Sequence, residues 1–213
     1  MKKQIILLAV VATFACCSVS RAEIIGAQWN LDDCTNVTCS GQTFTGGSTL
    51  DMTGVQHTSF GVMSGTITTD TIGDPTLFLG SSVNNDTGYL WNGYQVNVVM
   101  SVPFTFQGAP SVSNPPNNDW GVVNVIGPTL QGSGPYVNEY EGTMLFAPGT
   151  PLGIGAELDF NYAIHFGGST DYSFTQEMIP SLVAVPEPST VALLAIGGLG
   201  LALRLLRNNR TDA

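Results

Sequence analysis

Residues 156–166 read Ala-Glu-Leu-Asp-Phe-Asn-Tyr-Ala-Ile-His-Phe. Leu158, Phe160, Tyr162, Ile164 and Phe166 alternate with Glu157, Asp159, Asn161, Ala163 and His165. A period of two turns successive side chains to opposite faces, so the segment predicts a strand with one apolar and one wet face. The same alternation runs through Tyr94, Val96, Val98, Met100 and Val102, interleaved with Gln95, Asn97, Val99 and Ser101. Residues Tyr136 to Phe146 give a third case, with Tyr136, Tyr140, Met144 and Phe146 on one face and Glu139 and Glu141 on the other. Further strands are expected at Ile24 to Leu31, Gly61 to Thr69, Leu77 to Ser81, Trp120 to Ile126 and Tyr172 to Ile179. Gly, Ser, Thr, Asn and Pro separate these runs, and no helical period outlasts two turns. Many short half-buried strands between turn signals predict an all-β domain over residues 23–184, an antiparallel β-sandwich of the jelly-roll or Ig-like class.

The charges narrow the function classes. Only 10% of the 213 residues are charged, with a net charge of -10. All six bases sit at the ends, Lys2, Lys3 and Arg21 before the strands and Arg204, Arg207 and Arg210 after them. Between Glu23 and Leu203 there is no Lys or Arg. Such a surface repels phosphates, which argues against nucleic acid as a partner. Its carboxylates must be satisfied by water, backbone N–H groups or a cation.

Lys2 and Lys3 precede an apolar run from Ile5 to Cys17, and Ser20 and Ala22 are the small residues that a signal peptidase reads. Residues 1–22 are therefore expected to form a signal helix, cleaved after Ala22 by signal peptidase. Cleavage removes Cys16 and Cys17 and leaves Cys34 and Cys39, which an exported compartment would oxidise to one disulfide.

The other end is greasy as well. Residues 190–206 are apolar apart from Thr190 and Arg204. As a helix this stretch rises about 25 Å, near the lower limit for a membrane span, with Arg204 able to snorkel. Arg204, Arg207 and Arg210, in and before the basic tail 207–213, hold that side in the cytoplasm and leave the strands outside. Ahead of the span, Val185-Pro186-Glu187-Pro188-Ser189-Thr190 cannot be helix, because each proline pushes the residue before it into extended conformation.

The ordered set of Val185, Pro186, Glu187, Pro188, a short apolar span and a basic stop at Arg204, Arg207 and Arg210 resembles the PEP-CTERM sorting signal over residues 185–213. The resemblance implies a second partner, an exosortase, a membrane cysteine peptidase that recognises the Pro-Glu-Pro element. It also implies a route: anchoring in the inner membrane with the domain outside the cytoplasm, then the cell surface or extracellular space after processing. Residues 66–70 and 85–91 resemble, loosely, segments of other β-rich PEP-CTERM surface proteins.

Catalytic chemistry finds little support. His57 and His165 are the only histidines, and no Gly-x-Ser-x-Gly elbow is present. Glu139 with Glu141, and Glu157 with Asp159, share a face but lie about 7 Å apart on one strand, unlike two carboxylates flanking a bond. No enzyme and no catalytic residues are expected. No cofactor is expected either, calcium being the one ion that the composition admits, at Asp32-Asp33 or Asn84-Asn85-Asp86. Trp91, Tyr94 and Trp120 are the large rings available to stack on sugars, with Trp91 on the face opposite Tyr94. The functional expectation is a non-catalytic surface or matrix protein, structural or adhesive in an exopolysaccharide or biofilm setting; the alternative is a carbohydrate-binding module with polysaccharide as partner. Mass spectrometry of the exported protein should find Glu23 at its N-terminus, and a chain still starting at Met1 or Lys2 would refute the signal.

Overall fold

The computed structural model describes residues 22–147 and 149–184. The signal helix, the sorting motif, the membrane span and the basic tail lie outside those residues. Within them the chain is all β apart from one 3-10 turn, Leu31–Asp33. The strands in chain order are β1 (Ile24–Trp29), β2 (Val37–Thr45), β3 (Thr49–Gln56), β4 (Gly61–Thr69), β5 (Thr76–Asn85) and β6 (Leu90–Met100). They continue with β7 (Phe104–Phe106), β8 (Ser111–Ser113), β9 (Gly121–Leu130), β10 (Tyr140–Ala147), β11 (Glu157–Phe166) and β12 (Asp171–Val183).

These strands make a β-sandwich. The first sheet runs β1-β4-β12-β6-β10-β9 and the second β2-β3-β5-β11-β7, with β8 also on β11. One pair departs from the expected antiparallel arrangement: β3 and β5 are parallel. The chain leaves β3 for β4 in the opposite sheet and returns into β5, so the strand re-enters its sheet in its former direction. Every other strand pair is antiparallel.

The apolar faces read from the alternation meet in one core. Leu158, Phe160, Tyr162, Ile164 and Phe166 of β11 are buried, facing Tyr94, Val96, Val98 and Met100 of β6. Rings bridge the two sheets, with Tyr94 at 5.8 Å and Phe146 at 5.9 Å from Phe160, centroid to centroid. Within the first sheet, Trp29 and Phe174 meet edge-on at 4.7 Å across β4. Their common row partner is Gly65, and a Cβ there would collide with the Phe174 ring.

Two polar pairs cross the core. The Tyr94 hydroxyl donates to Gln56 Oε1 at 2.6 Å, and Gln56 Nε2 donates to the carbonyls of Thr58 and Met178, both at 3.0 Å. The Tyr162 hydroxyl donates to Gln176 Oε1 at 2.6 Å, and Gln176 Nε2 reaches Ser81 Oγ at 3.3 Å. Each pair joins one sheet to the other. Burial pushes the pKa of both hydroxyls well above the ordinary tyrosine value, which keeps them protonated donors.

Two sequence expectations are corrected here. Tyr136 stands in a turn ahead of β10, which starts at Tyr140. Trp91, placed opposite Tyr94 by strict alternation, is 0% exposed and lies 5.0 Å from Tyr94 inside the core. The cause is a bulge: between Trp91 and Tyr94 strand β6 uses three steps while its partner β12 uses two, from Leu182 to Pro180. One extra residue reverses the facing of everything before it. Trp120 is buried as well, its Nε1 donating to the Thr150 carbonyl at 2.8 Å.

Cys39 lies within β2, and Cys34 and Cys39 form a disulfide with a Cα–Cα separation of 6.5 Å. At the far side of the first sheet, β9 shows Val123, Ile126 and Leu130 to solvent, its edge broken by Pro128 and two register shifts.

Tyr162→Phe leaves Gln176 Oε1 without its donor in the core and should lower the unfolding free energy in urea by about 1–3 kcal/mol. Gly65→Ala should cost a similar amount, about 1–3 kcal/mol, by forcing the Phe174 ring off Trp29. Unchanged urea midpoints would contradict both assignments.

Candidate functional site

The outer face of the second sheet carries a groove of about 410 Å³. Its floor follows from register. Asp51 of β3 and Asn161 of β11 both sit opposite Gly80 of β5, forming one row across three strands. The next row holds Thr49, Phe78 and Ala163. Phe78 is 51% exposed, and its neighbours Leu77 and Leu79 turn into the core. The alternation of β5 thus puts a phenylalanine on the wet face, where an aromatic ring is a binding surface rather than core.

Gly80 determines how the polar groups stand. A Cβ at that position would overlap Asp51 Oδ1 and come within 2.9 Å of Asn161 Oδ1. The missing side chain lets both flanking side chains lean over β5 from opposite sides. Neither Asp51 nor Asn161 has a side-chain hydrogen-bond partner among the described residues. Gln107, Gly108 and Ala109, between β7 and β8, and Ser111, the first residue of β8, form the remaining wall. Among the described residues Asp51 is the only carboxylate lining the groove.

The residues singled out in the sequence are dispersed. Trp91, Tyr94 and Trp120 are buried and present no ring to a ligand. Asp33 accepts from Ser64 Oγ at 2.8 Å, and buried Asn85 donates to the carbonyls of Tyr89 at 2.8 Å and Gly153 at 3.1 Å. Both candidate calcium turns thus spend side-chain oxygens or amides on contacts within the protein. Among the described residues no three His, Cys, Asp or Glu side chains gather as a metal site. Glu157 takes the Ser82 hydroxyl and Asp159 that of Ser113, on the same wet face as the groove. Ala22 is buried against Gly73, and the Glu23 N–H donates to Asp70 Oδ1 at 2.7 Å.

The fold also assembles groups that sequence spacing did not bring together. His57 Nδ1 lies 2.9 Å from Asp86 Oδ2, and His57 Nε2 lies 2.8 Å from Thr38 Oγ1. This hydroxyl–imidazole–carboxylate chain has the order of a nucleophilic triad. It stands in solvent, however, with the side chains of His57 and Asp86 42% and 60% exposed. Water there screens the electrostatics that make such a chain reactive. On the outer face of the first sheet, Glu177 is buried and accepts from Asn97 Nδ2 at 2.8 Å and from the Tyr136 hydroxyl at 2.7 Å. Burial, and then the Glu177 carboxylate, push the Tyr136 hydroxyl pKa upward. Burial first and Glu177 second also raise the pKa of Glu141. The turn that moves Tyr136 out of β10 therefore serves to cover a carboxylate.

One comparison with known proteins bears on the C-terminus. The family model of the PEP-CTERM protein-sorting motif matches residues 184–208. No curated protein and no solved structure matches the chain. The match contains Val185, Pro186, Glu187, Pro188, the apolar stretch and two of the arginines, Arg204 and Arg207. The chain thus carries a PEP-CTERM sorting motif over residues 184–208, and that motif implies exosortase-dependent sorting of an exported protein.

Proposed function

We propose that this protein is a non-catalytic component of the cell surface or extracellular matrix, structural or adhesive among exopolysaccharides, as in a biofilm. The observation that carries the reading is the wet face of the second sheet. Thr49, Asp51, Thr53, Ser82, Asn84, Asp159 and Asn161 project there from three adjoining strands. Short hydroxyl, amide and carboxylate groups with no base among them stay hydrated and exchange hydrogen bonds with polyhydroxylated polymers. The rigid core beneath holds that array in one geometry. The exposure of the Thr38–His57–Asp86 chain to water supports a non-catalytic reading.

Two measurements test this. In cells carrying an exosortase, the surface pool should lack the epitope 204–213, while Glu187→Gln should leave tail-bearing protein in the inner membrane; surface protein that keeps the tail would contradict processing. Deletion of the gene should reduce matrix-bound biomass, and a His57→Ala copy should restore it fully. Failure of His57→Ala to complement would overturn the non-catalytic assignment.

A further inference from the structure

We infer that the groove over Gly80 is a binding site for a neutral saccharide unit, with Phe78 as the stacking platform and Asp51 and Asn161 as hydroxyl acceptors. The inference rests on the surface reading above and adds to it a site, a ligand class and named contacts.

Three features of the groove point to this ligand. The first is the half-exposed Phe78 ring on an otherwise polar face. It would gain from covering its flat apolar surface, and the C–H-bearing face of a pyranose is the apolar surface of a hydroxylated ligand. The second is the paired acceptors. Asp51 Oδ1 and Asn161 Oδ1 converge on the space that a Cβ on Gly80 would fill, one row from Phe78. Adjacent sugar hydroxyls can donate to two oxygens set in this way while the ring rests on Phe78. Gln107 and Ser111 on the far wall supply donors for the ring oxygen or a remaining hydroxyl.

The third feature is charge. Among the described residues Asp51 is the only carboxylate at the groove, and no Lys or Arg occurs between Glu23 and Leu203. A uronate, sulfate or phosphate would meet a carboxylate with no cation to offset it. A neutral sugar hydroxyl instead makes a charge-assisted hydrogen bond to Asp51, the stronger kind. A volume of about 410 Å³ falls within the range of small-ligand pockets, large enough for one or two pyranose rings.

The test uses mature protein purified from exporting cells, titrated calorimetrically with neutral gluco-, manno- and galacto-hexasaccharides, an oligouronate and hexalysine. Saturable binding of at least one neutral hexasaccharide is expected. Phe78→Ala and Asp51→Asn should each weaken it about tenfold or more, the worth of one stacking or charged contact. Both replace exposed side chains, so wild-type melting temperatures should accompany the loss, and Ile126→Ala on β9 should bind as wild type. Absence of neutral-sugar binding, binding indifferent to both groove substitutions, or preference for the oligouronate or hexalysine would each overturn the assignment. Fractionation of the same cells separates the two readings. Surface-located protein that binds no neutral sugar refutes the groove alone, whereas protein that never reaches the surface refutes the function proposed above.

Discussion

The two tyrosine–glutamine hydrogen bonds that cross the core, Tyr94 to Gln56 and Tyr162 to Gln176, set the relation between the sheets on which the other features depend. Hydrophobic burial is non-directional and would tolerate small slips of one sheet over the other. A buried hydroxyl and a buried amide would not, because a slip leaves each without a partner in a medium that cannot replace it. The choice of neutral partners follows from composition. A domain without lysine or arginine cannot cross-link its core with their ion pairs, so the directional contacts across its core come from Tyr, Gln and Ser.

That rigidity is what makes the outer faces usable. The groove is built by register alone: β3, β5 and β11 place Asp51, Gly80 and Asn161 in one row and Phe78 in the next. Glycine recurs for the same steric reason on both sheets. Gly65 lets Phe174 reach Trp29 inside the core, and Gly80 lets Asp51 and Asn161 approach one another outside it. In each case the missing side chain allows two flanking residues to meet over the middle strand.

The sorting motif and the groove belong to different parts of the chain. The sorting motif at residues 184–208 follows directly on β12, which ends at Val183 in the middle of the first sheet, between β4 and β6. The groove belongs to the opposite sheet from β12, the strand that leads into the motif. Without Lys or Arg between Glu23 and Leu203, the domain has little attraction for anionic headgroups.

Much of this was legible in the residues. Period-two alternation located β4, β6, β11 and β12 because each turns an apolar face into the core, and the Pro-Glu-Pro element with its apolar stretch and arginines announced sorting. β2, β3, β7 and β8 escaped because β2 and β3 are threaded with Gly, Ser and Thr and the other two are only three residues long. Trp91 was misplaced because one bulge residue in β6 inverts the facing that alternation assigns. Asp51, Phe78, Gly80 and Asn161 carried no local signal as a set, since their nearness arises from pairing among strands far apart in the chain. Local periodicity decides which residues face inward and composition decides where the protein goes; only strand pairing, a long-range choice made by the whole core, decides which outward residues stand side by side.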